Sequence, residues 1–384
     1  MLLVGAIRLP AGEPILSEGF EHFYNLEYPE AIKYFEAEIA RDRKDPEAYN
    51  HLAQALLYSE MYKAGALESE LVSGSNPFVN RELMRPSSEV ARRFDDCIAA
   101  SMRISEARIE KDPNDRAALY ALGVAHGLRA NYNYLVRKAW MDALKDATAA
   151  RKLHNQVLEL DPKFIDARLV QGVHDYILGS LPWHIKVLGF LAGFKGDREA
   201  GLDALRTVAE KGTVNKYDAR VLLAAIYRRE RRPLEALPLL KHLSERFPRN
   251  FLFRLEMVQM YSDAGNKNDA LAVLDTVEKL RKAKAPGYAD LASAKIDYYR
   301  GNLLFWYREY DLAIENLRRV TPDAKDLDLH TAVMAWMRLG QSLDMKGRRK
   351  EAIAAYHEAV RTGPETAPGK ESKGYINSPW HRSS

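Results

Sequence analysis

Between Trp336 and Pro364, small and apolar residues fall at fixed offsets: Trp336, Leu339, Gly340 and Leu343, then Ala352, Tyr356, Ala359 and Pro364. Steps of three and four on either side of a polar gap predict two amphipathic helices, A and B, joined by a short turn. Gly340 and Ala352 are the small members of the set. Small side chains let two helix axes approach, while the larger ones fill the groove between them. A proline after helix B stops it. The same grammar runs backward along the chain. Gly301, Leu304, Ala313, Leu317 and Val320 keep the offsets. So do Val258, Tyr261, Ala270, Leu274 and Val277, and Ala224, Tyr227, Ala236, Leu240, Leu243 and Pro248. The key alanines stand at 236, 270, 313 and 352, one step of 34 residues and two lengthened by short insertions.

The N-terminal half carries the pattern with stretched turns. Gly19, Ala31 and Phe35 mark a first repeat, closed at Asp45-Pro46. Ala53 opens a second that ends at Asp112-Pro113, and Gly123 a third that ends at Asp161-Pro162. Gly172 opens a fourth, whose helix B spans about 197–211. Ala53 and Ser101, Gly123 and Ala150, and Gly172 and Gly201 stand further apart than one repeat needs, so these three repeats carry insertions. Eight repeats, five regular and three with insertions, cover about residues 15–364. The pattern resembles the tetratricopeptide repeat (TPR), complete from end to end in the last copy. That resemblance implies an all-α solenoid with strand content near zero: a right-handed superhelix of antiparallel helix pairs. Each repeat is expected to touch only its neighbours and to line a concave groove mostly with its A helix. The expected organisation is an N-terminal arm at 1–14, repeats with long insertions at 15–212, regular repeats at 213–364 and a C-terminal tail at 365–384. The tail lacks helical periodicity, although Tyr375, Ile376 and Trp380 are apolar enough to dock.

Composition narrows the class. Of 384 residues, 47% are hydrophobic, enough for a sizeable core, and 29% are charged, which excludes a polytopic membrane protein. The formal charge of +4 is too evenly balanced to imply nucleic acid. A single cysteine, Cys97, excludes an intramolecular disulfide and any Cys-rich metal site, and is expected to be a buried small residue. The start, Met1 to Ile7, is apolar but has no basic lead. It fits a lightly packed arm, which favours a cytoplasmic protein, or the remnant of an export signal, which would place it in the periplasm or envelope.

The insertions differ in character. The second repeat's, about 61–88, reads as an extended helix and then a loop, either folded over one edge or gating a ligand, with Ser87 or Ser88 capping the next helix. The third, 130–145, sets Tyr132, Tyr134 and Trp140 beside Arg137 and Lys138, a set that suits either a binding edge or padding of lengthened helices. The fourth, 178–194, is apolar with only His184 and Lys186 polar. It fits a helix packed into the solenoid, or a hairpin touching a membrane or partner through Trp183, Ile185, Phe190 and Phe194. With its sequel, Lys195-Gly196-Asp197-Arg198, the stretch from Gly172 to Gly212 resembles the eukaryotic TPR family of inclusion-body-clearance proteins. That family implies a non-enzymatic helical scaffold, in part associated with mitochondrial outer membranes. The compact layout looks more like a bacterial relative. No catalytic residue transfers.

Candidate chemistry is sparse. His126, His154, His174 and His184 match no metal-ligand spacing, and His154 is placed at a core-facing position of helix B. There is no P-loop, no G-x-S-x-G and no G-x-G-x-x-G. An enzyme is not expected, nor a cofactor or metal. In helix A of a TPR, positions 2, 5, 9, 12 and 13 face the concave side. Applied here, they nominate Arg228, Gln259, Tyr298, Asn302, Trp306 and Gln341. The amides would hydrogen-bond a peptide backbone, and the rings would offer flat apolar surface. The competing reading is a groove left empty or filled by the chain's own Tyr375–Trp380. Val221, Leu255 and Tyr298 at position 5 disfavour the lysine-based clamp for carboxyl termini. The expected function is a non-enzymatic scaffold or adaptor that binds a protein or peptide in its groove. The alternative is a peripheral membrane or envelope-associated assembly factor that uses the apolar insertion. The oligomeric state stays open.

Overall fold

In a computed structural model, residues 16–67, 84–180 and 196–382 are described. They form seventeen α-helices and no strand. Successive antiparallel pairs are α1 (Glu18–Tyr24) with α2 (Tyr28–Arg41), α3 (Pro46–Lys63) with α4 (Ser88–Lys111), and α5 (Arg116–Tyr132) with α6 (Trp140–Leu160). Then come α7 (Arg168–Gly179) with α8 (Arg198–Lys211), α9 (Lys216–Arg229) with α10 (Pro233–Arg246), and α11 (Phe251–Asp263) with α12 (Lys267–Lys282). The stack ends with α13 (Ser293–Trp306) and α14 (Tyr310–Val320), α15 (Leu329–Met345) and α16 (Arg349–Thr362), and a single helix α17 (Ala367–Asn377).

The small-residue grid sets how closely each pair packs. A Cβ on Gly340 would lie 2.5 Å from the ring of buried Tyr356, and one on Gly123 would lie 2.5 Å from the ring of His154. The stretched fourth repeat keeps the same lock, since a Cβ on Gly201 would lie 2.5 Å from the backbone nitrogen of Tyr176. The five regular repeats also share one A-to-B turn. In each, the residue two places beyond helix A is left-handed: Leu26 (φ 66°), Arg231 (57°), Gly265 (80°), Arg308 (64°) and Gly347 (70°). The next residue's N–H reaches back to a carbonyl in the last turn, as Arg232 does to Tyr227 and Arg348 to Leu343. This satisfies carbonyls that the helix end leaves unpaired. Three of the five use a side-chain-bearing residue where glycine would be relaxed. Acidic and amide caps start the A helices: Asp45, Asp115, Asn250 and Asp328 each accept a backbone N–H of the first turn.

Two expectations are corrected. The repeats do not touch only their neighbours. Tyr24 of α1 stacks on Phe247 (4.8 Å) and meets Tyr217 edge-on (5.6 Å). Around that contact Arg246 pairs with Glu21, Arg249 with Glu27 (2.6 Å), and Asn250 donates to the Tyr24 carbonyl (2.8 Å). The solenoid therefore curls until repeat one docks on repeats five and six, and one hydrophobic cluster runs from Phe23 to Met260. The stretch after 365, expected to lack helical structure, forms α17. Thr366 caps it by accepting the Gly369 N–H (3.0 Å), and Pro368, Gly369 and Ser372 are buried beside α16. Its packing face is made of small residues, so it shows no apolar stripe.

Candidate functional site

Between repeats seven and eight, Arg338 is the hub of a side-chain cluster. Its guanidinium lies 4.7 Å from the ring centroids of both Phe305 and Trp306. It donates to Asn302 Oδ1 (3.0 Å) and Gln341 Oε1 (2.7 Å). Three nominated residues, Asn302, Trp306 and Gln341, are thus brought together. The two amides are buried and serve this arginine through their carbonyl oxygens, whereas Trp306 is 45% exposed. Tyr298 is completely enclosed, so it offers no flat surface. Arg228 is buried between Glu256 (3.5 Å) and Asp263 (3.6 Å), and Gln259 is buried as well.

The segment after α17 lies across this surface. Asp344, one of the concave positions of α15, accepts the backbone N–H of Trp380 (2.8 Å), the Tyr356 hydroxyl (2.9 Å) and Arg349 Nη1 (3.0 Å). Burial and the Asp344 carboxylate push the Tyr356 phenol far above its ordinary range. Arg349 Nη2 also holds the end of α17 by donating to the carbonyls of Tyr375 and Ile376 (2.8 Å each). The Trp380 indole rests against Phe305 (5.3 Å), and Arg382 donates to the Trp306 carbonyl (3.0 Å) with its guanidinium over the Trp306 ring (5.5 Å). The competing reading, a groove covered by the chain itself, describes this end.

Two family models match. One, described as Iml2/Tetratricopeptide repeat protein 39, covers residues 167–285, and the other, a tetratricopeptide-repeat model, covers 16–67 and 301–367. The first spans α7 to α12, and the second takes in α1 to α3 and the stretch from within α13 to the end of α16. The chain is a tetratricopeptide-repeat protein. The resemblance drawn at Gly172–Gly212 falls within the span that the Iml2 model matches. TPR proteins are in general protein-binding scaffolds, and such families are generally non-enzymatic. Among solved structures, yeast Tom70 is similar at a TM-score of 0.41 and 13% identity, over 94% of this chain and 94% of that one. Cut9 in the APC/C hetero-tetramer Cut9-Hcn1 gives 0.38 and 14%, over 93% and 74%. The human IFIT1 dimer with m7Gppp-AAAA gives 0.28 and 14%, over 91% of each. Likenesses of this strength carry no argument about partners. No curated protein sequence matches the chain.

Elsewhere, the TPR packing absorbs most of the remaining candidates. His154 stacks on Tyr120 (5.0 Å) in the core, and burial lowers its pKa to about 4. Cys97 is buried and unpaired, and burial pushes its thiol up to about 11. His126 and Arg129 converge on Asp146 (2.8 and 2.7 Å), and burial of that carboxyl is outweighed by both partners, so its pKa is lowered. In the third insertion, Tyr132 stacks on Phe94 (4.2 Å) as padding, while Trp140 is half exposed. A cleft of about 470 Å³ opens where the turn of repeat one meets repeats six to eight, beside the buried pair Lys295–Asp328 (2.6 Å). Trp183, Ile185, Phe190 and Phe194 lie outside the described residues. Among the described residues, no helix is long and apolar enough to cross a membrane.

Arg338 and the docking of repeat one were missed in the sequence. Arg338 sits one place beyond position 5 of its helix, off the inward stripe. Its signal was the adjacent Phe305-Trp306 pair one repeat earlier, a platform that suits a guanidinium.

Proposed function

We propose that this chain is a non-enzymatic scaffold that binds a protein or peptide partner on the concave face of repeats seven and eight. One observation supports this reading above the others. The surface already holds a non-helical stretch of polypeptide by the means a peptide site uses: a carboxylate on a backbone N–H, a ring on a ring and a cation over an indole. Affinity capture from the native host compares the unaltered chain with Trp306→Ala. The half-exposed indole carries part of the surface and little of the core, so partner recovery falls at least fivefold while the thermal melt is kept. Equal recovery by both chains would remove this site.

A further inference from the structure

We infer that Ser378–Arg382 is a resident ligand in cis, and that the site it covers takes an extended partner segment carrying an aromatic ring with an arginine or lysine two residues on. This rests on the reading above and specifies the partner's chemistry. Ser378 leaves α17 in an extended conformation (φ −132°, ψ 127°), and no helix follows it among the described residues. From there every anchoring contact is one that a separate peptide would reproduce. Trp380 supplies an N–H to Asp344 and an indole to Phe305. Arg382, two residues on, supplies a donor to the Trp306 carbonyl and a cation over its ring. The receptor wall is built independently of the segment: Arg338 is clamped by Asn302 and Gln341, and Asp344 by Arg349 and Tyr356. A wall held rigid by its own hydrogen bonds, facing a strand held by a few side chains, is arranged for exchange.

The consequence is quantitative. A short tether presents its ligand at an effective concentration of about 1 mM. If the separate segment binds with a Kd of about 100 μM, the cis copy occupies the site about ten times out of eleven and weakens any competitor about tenfold.

The test uses the full-length chain and a fluorescein-labelled peptide of residues 374–384, followed by anisotropy. The chain carrying Trp380→Ser and Arg382→Ser binds the peptide about tenfold more tightly than the unaltered chain, and adding Trp306→Ala removes that binding. A peptide with Trp380→Ser binds none of the chains. Equal affinity of the unaltered and doubly substituted chains, or binding by neither, overturns the inference. If partner capture still depends on Trp306 in that case, the proposed function survives alone; if capture ignores Trp306, both fall. Should the double substitution unfold the chain, Arg382→Glu at this partly exposed residue replaces it, with a smaller gain expected and no gain overturning the inference. An unaltered chain that runs as a dimer in light scattering, and becomes a monomer on Trp380→Ser with Arg382→Ser, would assign the segment to a second copy and overturn the cis assignment.

Discussion

Docking of repeat one on repeat five can be read from a single carboxyl. Asp218, in the first turn of α9, is partly buried and accepts a hydrogen bond from Tyr24 of α1. Burial outweighs the lowering effect of the Tyr24 hydrogen bond and, with a smaller push from the Asp166 carboxylate, raises its pKa to about 6, against about 3.9 in an unfolded chain. The folded chain therefore binds the extra proton between those two values. Stability falls as pH rises through that window, and the full cost, about 3 kcal/mol, is approached above about pH 7. Asp218→Asn keeps an acceptor for the Tyr24 hydroxyl and removes the charge. The stability of the Asp218→Asn variant relative to the unaltered chain should thus rise by about 2 kcal/mol between pH 4 and pH 7, whatever constant offset the new amide brings. For a chain of this length unfolding as one unit, that is a relative gain of about 3 °C in Tm. The shift is larger if the repeats unfold in blocks. Scanning calorimetry of the two chains at half-unit steps of pH measures it. His51 and His154, which burial lowers to about 4, add an opposite slope to both chains and cancel in the difference. A difference that stays flat above pH 4 would mean that Asp218 is solvated and Tyr24 is not seated on it.

Two further outcomes follow from the packing. Gly340→Ala drives a methyl into the enclosed Tyr356 ring and should lose about 1–3 kcal/mol, whereas Gly127→Ala in α5, with no atom within 4 Å of the new Cβ, should gain about 0.5–1 kcal/mol; paired denaturant melts giving both substitutions the same sign would contradict the small-residue lock. Arg249 and Glu27, 222 residues apart in sequence, should show a coupling of about 0.5–1 kcal/mol in a double-mutant cycle at low salt, reduced because both are partly exposed. A coupling of zero at low salt would separate repeat one from repeat six.

The helix pairs were legible because their cause is local. Gly340 needs to be small because Tyr356 lies across it, and both residues sit within one repeat. His154 could be assigned to the core for the same reason, since its ring fills the notch that Gly123 leaves. The A-to-B turns were half legible: Gly265 and Gly347 announce a left-handed residue, but Leu26, Arg231 and Arg308 adopt it with a side chain and give no warning. The contact of Tyr24 with Phe247 was not legible at all. It depends on small inter-repeat rotations accumulated over the intervening repeats, three of them with stretched turns, and no short pattern encodes that sum.

The same division between local and accumulated causes explains the candidate site. Counting positions along an A helix nominated Asn302, Trp306 and Gln341, which do meet around Arg338, and also Tyr298, which is completely enclosed. It cannot say what these side chains face. Asn302 and Gln341 have the chemistry to bind a peptide backbone, yet their carbonyl oxygens are taken by Arg338, so they act by fixing a guanidinium against two aromatic rings. Asp344, whose side chain is almost wholly enclosed, makes the contact to a peptide N–H. If this face is the binding site proposed above, its recognition is built in two layers. Buried amides and Arg349 hold Arg338 and Asp344 in place, while Phe305, Trp306 and the Asp344 oxygen meet the segment that lies over them. A partner that displaces Ser378–Arg382 gains little from the amides and must match the ring and the cation, which makes the spacing between those two groups the property that selects it.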